Sequence, residues 1–171
     1  MRRMIDDRSS GDLRASIGTD WRVVTDTVMG GVSSGSLVPT DVAGRSCLRL
    51  SGDVSLENNG GFVQASLDLS LAGALDARDF QGIELDVYGN RERYNLHLRT
   101  LDTRIVWQSF RASFIAEPCW QTVRLPFSEF RPYRIDRPLD LQTLRRLGVV
   151  AIGRTMQADL CIARIVLYQE A

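Results

Sequence analysis

Apolar and polar residues alternate along most of the chain, in short runs separated by turn residues. Residues 62–69 place Val63, Ala65, Leu67 and Leu69 on one side of an extended strand and Gln64, Ser66 and Asp68 on the other. A period of two with one polar side is typical of antiparallel sheets that pack on a core. Similar or apolar runs lie at 47–51, 83–88, 94–99, 105–110, 120–125, 149–152 and 160–168. This pattern predicts an all-β fold, a β-sandwich or jelly roll.

Residues 83–88 and 94–98 predict a hairpin. Pairing Ile83 with Leu98 and Leu85 with Leu96 stacks apolar side chains on one face. The same register sets Glu84 beside His97 on the other face, with Arg99 just beyond. A slip of one residue would mix the two faces, so the pattern favours this register. The resulting polar stripe is either a solvated face or a binding face in a groove.

The helical signal is limited to one or two short helices. Asp140 is a suitable N-cap for the segment LQTLRRL, in which Leu141, Leu144 and Leu147 recur at helical spacing. Residues 76–80 predict another turn. The long helices of a doubly wound α/β fold are missing from the pattern.

Residues 1–19 are polar and have no period, which predicts a polar N-terminal arm before a single β-sandwich domain over residues 20–171. The first residues lack the apolar stretch of a signal peptide, and their aspartates are unusual for a transit peptide. No apolar run is long enough to span a membrane. We expect a protein that is not membrane-spanning and lies in the cytoplasm, or is peripheral to the inner membrane through a partner.

Charge and composition narrow the function classes. Twenty-one basic residues balance twenty-one acidic ones, so nothing favours a nucleic-acid partner, which requires clustered positive charge. Every basic residue is arginine. Lysine chemistry, including Schiff-base catalysis and a P-loop, is therefore excluded.

The cysteines and the histidine suggest no reactive site. Cys47, Cys119 and Cys161 show no C-x-x-C spacing, which is typical of thiols in a reducing compartment rather than of zinc ligands. The one histidine, His97, is expected to be structural, since no serine lies in a G-x-S-x-G elbow. We expect no cofactor, no metal site and no catalytic residues; loop aspartates and asparagines leave calcium binding open.

Two glycine-rich segments carry the candidate site. Residues 28–35 read VMGGVSSG and residues 57–62 read ENNGGF, and neither matches a nucleotide-binding loop. We expect the two segments to meet in space, where their polar groups either tie loops together or line a binding pocket. The candidate binding or loop-locking residues are Asp26, Met29, Gly30, Gly31, Ser33, Glu57, Asn58, Asn59 and Arg99. Trp21 and Trp107 are candidate aromatic platforms for a sugar.

Four blocks of the sequence resemble one known family. Residues 21–35 read WRVVTDTVMGGVSSG and resemble its opening signature, a tryptophan followed by D-x-V-M-G-G-x-S. Residues 56–62, LENNGGF, resemble its second signature. Residues 93–100, RYNLHLRT, and 120–130, WQTVRLPFSEF, are similar to two of its strands. The family is that of the complex I intermediate-associated protein 30, and the resemblance extends over about residues 20–168.

This resemblance implies a galactose-binding-like jelly roll and a non-enzymatic role. Mitochondrial members assist the assembly of respiratory complex I, the NADH:ubiquinone oxidoreductase, and this chain resembles a compact bacterial member. The first hypothesis is therefore a binding protein and assembly factor whose protein partner includes subunits of a respiratory complex. The alternative is a module of the galactose-binding-like class that binds a carbohydrate or another small ligand.

Overall fold

The computed structural model describes residues 1–170. These residues fold into two antiparallel sheets with twelve strands. The strands are β1 (Arg2–Asp6), β2 (Arg22–Thr25), β3 (Ser34–Val42), β4 (Arg45–Val54), β5 (Phe62–Asp68), β6 (Gly82–Tyr88), β7 (Arg93–Thr100), β8 (Ser109–Ile115), β9 (Gln121–Pro126), β10 (Arg131–Tyr133), β11 (Leu144–Ile152) and β12 (Met156–Tyr168). Four single 3-10 turns lie at Asp26–Met29, Glu57–Asn59, Phe127–Glu129 and Leu141–Thr143.

The strands divide between two six-stranded sheets. The first sheet has the order β3-β4-β12-β6-β9, with β1 also pairing with β12, and the second has the order β10-β8-β7-β11-β5-β2. The inward-facing side chains of both sheets form one core, in which Leu50, Leu85, Leu96 and Val149 have no exposed surface. The two layers confirm the predicted all-β sandwich and place one face of each sheet away from the core.

The predicted hairpin is wrong, because β6 and β7 belong to different sheets. β6 pairs with β12 and β9, whereas β7 pairs with β11 and β8. Glu84 therefore does not lie beside His97; it accepts hydrogen bonds from Arg124 and Arg164 on the first sheet. The apolar side chains of β6 and β7 point into the shared core from opposite sheets. Their alternation is therefore as compatible with packing across the core as with pairing in a hairpin.

The predicted helix after Asp140 is also wrong beyond its first turn. The Asp140 carboxylate accepts a hydrogen bond from the N–H of Gln142 at 3.0 Å, as an N-cap does. Only a 3-10 turn follows, and β11 begins at Leu144. The pairing of β11 with β7 shifts between Leu144 and Arg146. This bulge buries both Leu144 and Leu147, so their spacing of three reflects a bulged strand and not a helix.

Residues 1–19 do not form an arm separate from the domain. β1 pairs with the C-terminal part of β12, which β4 leaves free because its own pairing ends at Ile162. Ile5 is buried, and the buried Asp6 accepts hydrogen bonds from Arg8 Nε at 2.9 Å and from Trp21 Nε1 at 2.8 Å. The sequence pattern missed this strand because its first residues are charged and exposed.

Candidate functional site

A groove lies on the face of the second sheet that points away from the core. Its volume is about 330 Å³, within the range of small-ligand sites. The floor comes from outward-facing residues of successive strands, which the two-residue period of each strand brings into rows: Val24 of β2, Gln64 and Ser66 of β5, Gly148 and Val150 of β11, His97 and Arg99 of β7, and Ser109 and Arg111 of β8.

Gly148 sets the depth of the groove at its centre. It is paired with Ser66 on one side and with His97 on the other. A Cβ at this position would collide with the side-chain amide of Gln64. The lack of a side chain on Gly148 leaves room for Gln64 to lie across β11, and the middle of the floor stays low.

Two loops raise apolar side chains at the rim. The 3-10 turn after β2 presents Val28 and Met29, which are 66% and 50% exposed. Residues 101–108, which join β7 to β8, present Val106 and Trp107, which are 63% and 51% exposed. β2 lies at one edge of the second sheet, whereas β7 and β8 lie near the other edge. Because β2 and β7 run in opposite directions, the loops that follow them lie at opposite ends of the strands. The groove therefore has apolar side chains at two diagonally opposite corners.

Arg99 holds the second loop in place. Its Nη2 donates to the carbonyl of Thr103 at 3.0 Å and to that of Ile105 at 3.2 Å. The Thr103 hydroxyl donates to the carbonyl of Thr100 at 2.7 Å and closes the turn. The buried Nε of Arg99 has no hydrogen-bond partner within residues 1–170. This arginine thus positions Val106 and Trp107 and also contributes its charge to the groove.

The charges that line the groove are of one sign. Arg22, Arg99, Arg111 and Arg146 line it, and among the described residues of the lining none is Asp or Glu. Asp68, outside the lining, contacts Arg22 at 3.6 Å and Arg146 at 2.6 Å. The Arg111 guanidinium lies over the Tyr133 ring, 3.6 Å from its centroid. Arg99 and Arg111 therefore supply most of the unneutralised charge.

The ionisation of these groups follows from their burial. Burial lowers the pKa of Arg99, as do the neighbouring charges of Arg146 and Arg145, and burial lowers the pKa of Arg111. Both remain charged at neutral pH, because a free guanidinium titrates far higher. Burial lowers the pKa of His97 to about 3, with a further contribution from Arg111, so its ring is neutral.

Asp26 joins the two glycine-rich segments next to the groove. Its fully buried carboxylate accepts hydrogen bonds from the N–H of Ser33 at 3.0 Å, from the N–H of Phe62 at 3.1 Å, and from the Ser33 hydroxyl and the Gly61 N–H. Burial opposes ionisation, but these hydrogen bonds outweigh it and lower the pKa of Asp26. A Cβ on Gly60 would lie 2.7 Å from Asp26 Oδ2, so the close approach requires glycine there.

The structure separates the predicted site residues into three groups. Asp26, Gly31 and Ser33 lie in the Asp26 cluster, with Gly30 ending its turn at a positive φ of 87°. Met29, Asn59, Arg99 and Trp107 line the groove. Glu57 and Asn58 are exposed and lie outside the lining. The expectation that the two segments meet thus agrees with the contacts of Asp26.

Trp21 is not an aromatic platform. Its side chain is only 2% exposed and its indole N–H donates to Asp6, so no ligand can stack on it. Gln64 and Arg111 line the groove but were not among the predicted site residues. For Gln64, the alternation of β5 was a usable signal, since it placed that side chain on the polar side.

The described residues contain neither a metal-binding cluster nor a helix that could cross a membrane. Among residues 1–170, no three His, Cys, Asp or Glu side chains are grouped so that they could hold a metal ion. No helix within that range combines the length and the apolar character that a membrane crossing needs.

Comparisons with known proteins identify relatives by family and by fold. The family model of the Complex I intermediate-associated protein 30 (CIA30) matches residues 13–161. No curated protein matches the sequence.

Several solved structures share the fold. The family 11 carbohydrate-binding module of the cellulosomal cellulase Lic26A-Cel5E of Clostridium thermocellum is 16% identical, with a TM-score of 0.74 over 99% of this chain and 95% of that one. The family 11 module from the same organism in complex with a beta-1,3-1,4-mixed-linked tetrasaccharide is 17% identical, with a TM-score of 0.72 over 98% and 95%. The family 30 module of the C. thermocellum cellulase Cel9D-Cel44B is 14% identical, with a TM-score of 0.59 over 81% and 84%. These likenesses establish the jelly-roll sandwich fold.

Proposed function

Because the chain belongs to the Complex I intermediate-associated protein 30 family, we propose that it is a non-enzymatic binding protein that assists the assembly of a multi-subunit complex, specifically respiratory complex I. It would act in the cytoplasm and reach the inner membrane through its partner. The groove and its rim are the surface that holds this partner.

The observation that carries this proposal is the apolar rim of the groove. Val28, Val106 and Trp107 expose half or more of their side chains at the edge of a concave surface. Apolar side chains grouped in this way are typical of interaction surfaces, and exposed tryptophan and arginine side chains are common anchors of protein interfaces. Their location on loops held by Arg99 and Asp26 gives a preformed surface, which reduces the entropy lost on binding.

Affinity purification from the native host tests the proposal. The tagged wild-type protein, a V106S/W107S double variant and an L71S control are compared by mass spectrometry; Leu71 is 81% exposed but lies outside the groove. We expect subunits of a respiratory complex to copurify with the wild type and the control but not with the double variant. Recovery of no large-complex subunit by the wild type, or full recovery by the double variant, would contradict the proposal.

A carbohydrate ligand is the second candidate function. It is favoured by Trp107, whose half-exposed ring borders a groove that also contains the amide of Gln64 and the hydroxyl of Ser66. Such a combination suits a sugar ring, which stacks on an aromatic face and exchanges hydrogen bonds with amides and hydroxyls. The fold relative that was solved with a mixed-linked tetrasaccharide supplies the probe. Calorimetric titration with that tetrasaccharide should show binding that W107A abolishes; no heat with the wild type would eliminate this candidate.

A further inference from the structure

We propose that the groove binds an acidic peptide segment of the partner, with ligand carboxylates on Arg99 and Arg111 and ligand apolar side chains on the rim. This inference rests on the proposed function, because it assigns a chemical class to the partner that the groove would hold.

Positive charge is concentrated in the groove. The whole chain is neutral at pH 7, yet the described lining of the groove contains four arginines and no acid. The outward face of the first sheet differs: there Glu84 accepts from Arg124 and Arg164, so the charges cancel locally. The excess positive charge is therefore a local property of the groove, and it is complementary to an anion.

Arg99 and Arg111 are the groove arginines that no described carboxylate neutralises. Arg22 and Arg146 share Asp68, but within residues 1–170 no carboxylate lies at ion-pair distance from Arg99 or Arg111, whose electrostatic neighbours are other arginines and Tyr133. Both are partly buried. A carboxylate that reaches a partly desolvated guanidinium forms a stronger charge-assisted hydrogen bond than it does with a fully hydrated one.

The guanidinium of Arg111 is held in a fixed orientation. Arg111 is held by its contact with the Tyr133 ring and by a hydrogen bond of 2.9 Å from its Nε to the Ser109 hydroxyl. This arrangement fixes the guanidinium plane before a ligand arrives. A fixed planar fork suits a carboxylate, which accepts two parallel hydrogen bonds.

The rim distinguishes a peptide from an acidic sugar. Val28, Met29 and Val106 are aliphatic and exposed, and they offer contact area to apolar amino-acid side chains. A uronic acid polymer has carboxylates but no such side chains. The Tyr133 ring, which lines the groove, is covered on one face by Arg111, so that face is not free to stack on a sugar ring. Acidic and apolar side chains together are a property of peptides.

Selection from a phage-displayed library of random dodecapeptides tests the inference. The bait is the wild-type protein, and synthetic copies of the enriched peptides are then titrated against wild type, R111Q, R99Q/R111Q, W107S and R3Q. Arg3 is an exposed arginine of β1, outside the groove, and serves as the matched control. R111Q leaves the hydrogen bonds of Arg99 to its loop intact, so it remains informative if the double variant unfolds.

We expect enriched peptides with a net negative charge and with Leu, Ile, Val or Phe between the acids. Their affinity should fall at least tenfold with R111Q, remain unchanged with R3Q, and weaken as salt rises from 50 to 500 mM. Neutral or basic enriched peptides would overturn the inference, as would equal binding to R111Q or no enrichment at all.

Neutral apolar peptides that lose binding to W107S would overturn the charge assignment but leave the proposed function standing. Hexagalacturonate that binds more tightly than any selected peptide, with the same dependence on Arg111, would show that the occupant is an acidic sugar.

Discussion

The carboxylate of Asp26 accepts a hydrogen bond from the backbone N–H of Gly61, which lies 35 residues farther along the chain. The same carboxylate also holds Ser33 and Phe62. One buried side chain therefore joins the loop after β2 to the loop before β5, and both loops border the groove.

Replacing Asp26 with alanine should lower the free energy of unfolding by about 2–4 kcal/mol, because the variant leaves buried backbone N–H donors without an acceptor. Urea denaturation measures this effect. Asp20 provides the control: it is exposed and contacts Arg14 at 3.6 Å, so D20A should change stability by less than about 1 kcal/mol. Equal effects of the two substitutions would show that the Asp26 cluster does not stabilise the fold.

Substitutions of Asn58 distinguish a structural role of its loop from a direct contact with a ligand. Asn58 is exposed and has a φ of 56°, in the left-handed region that asparagine tolerates better than leucine does. We expect N58L to cost about 1 kcal/mol in unfolding free energy, with unchanged partner binding, and N58G to cost less. Lost binding at unchanged stability would instead make Asn58 part of the binding site.

His97 should make the folded state sensitive to acid. Its pKa is lowered to about 3 in the folded protein, whereas a histidine in an unfolded chain has a pKa of about 6.5. Between these values the unfolded state binds more protons, so stability falls as the pH decreases through this window. Between pH 6.5 and 4.5 the loss attributable to His97 should be about 1–3 kcal/mol.

Comparing wild type with H97Q isolates this contribution, because carboxylates elsewhere in the chain affect both proteins alike. Unfolding free energies at several pH values should show a smaller acid loss for H97Q. Parallel pH profiles for the two proteins would mean that His97 accepts a proton in the folded state as easily as in the unfolded one.

Asp6 should be as important for stability as a core residue, although it lies near the N-terminus. It accepts hydrogen bonds from Trp21 and from Arg8, and Arg8 is only 4% exposed. D6A leaves a buried cation without its carboxylate, which should cost about 3 kcal/mol. The neighbouring Asp7 is exposed, so D7A should cost less than about 1 kcal/mol. If D6A were as mild as D7A, β1 would be only loosely attached to the sheet.

Alternation along single strands was sufficient to predict the sandwich, because each strand buries one face whatever its neighbours are. It was not sufficient to predict pairing. The apolar sides of β6 and β7 match equally well within a hairpin and across the core, and only the structure shows that the chain changes sheets between them. The leucines at 141–147 led to an incorrect helix prediction for a related reason. The bulge in β11 gives the buried residues of a strand the spacing that is typical of one face of a helix.

The part of the candidate site that could be predicted from the sequence is the pair of glycine-rich loops, because their residue types limit the backbone conformations there. Paired glycines and asparagines indicated tight loops, and their polar neighbours indicated a shared contact, which Asp26 provides. The groove itself could not be predicted from the sequence. Its floor combines residues of β2, β5, β7, β8 and β11, and no local sequence pattern specifies the order of these strands in the sheet. The apolar run at 105–110 predicted a strand, yet Val106 and Trp107 lie in an exposed loop.

Site-specific photo-cross-linking in the native host tests the central claim most directly, namely that the groove holds the partner. A benzoylphenylalanine is placed at position 106 in the groove rim in one variant and at position 71, away from the groove, in another. If the groove holds the partner, a discrete protein adduct forms after irradiation from position 106 and none forms from position 71. Adducts from position 71 alone, or the same adducts from both positions, would contradict it.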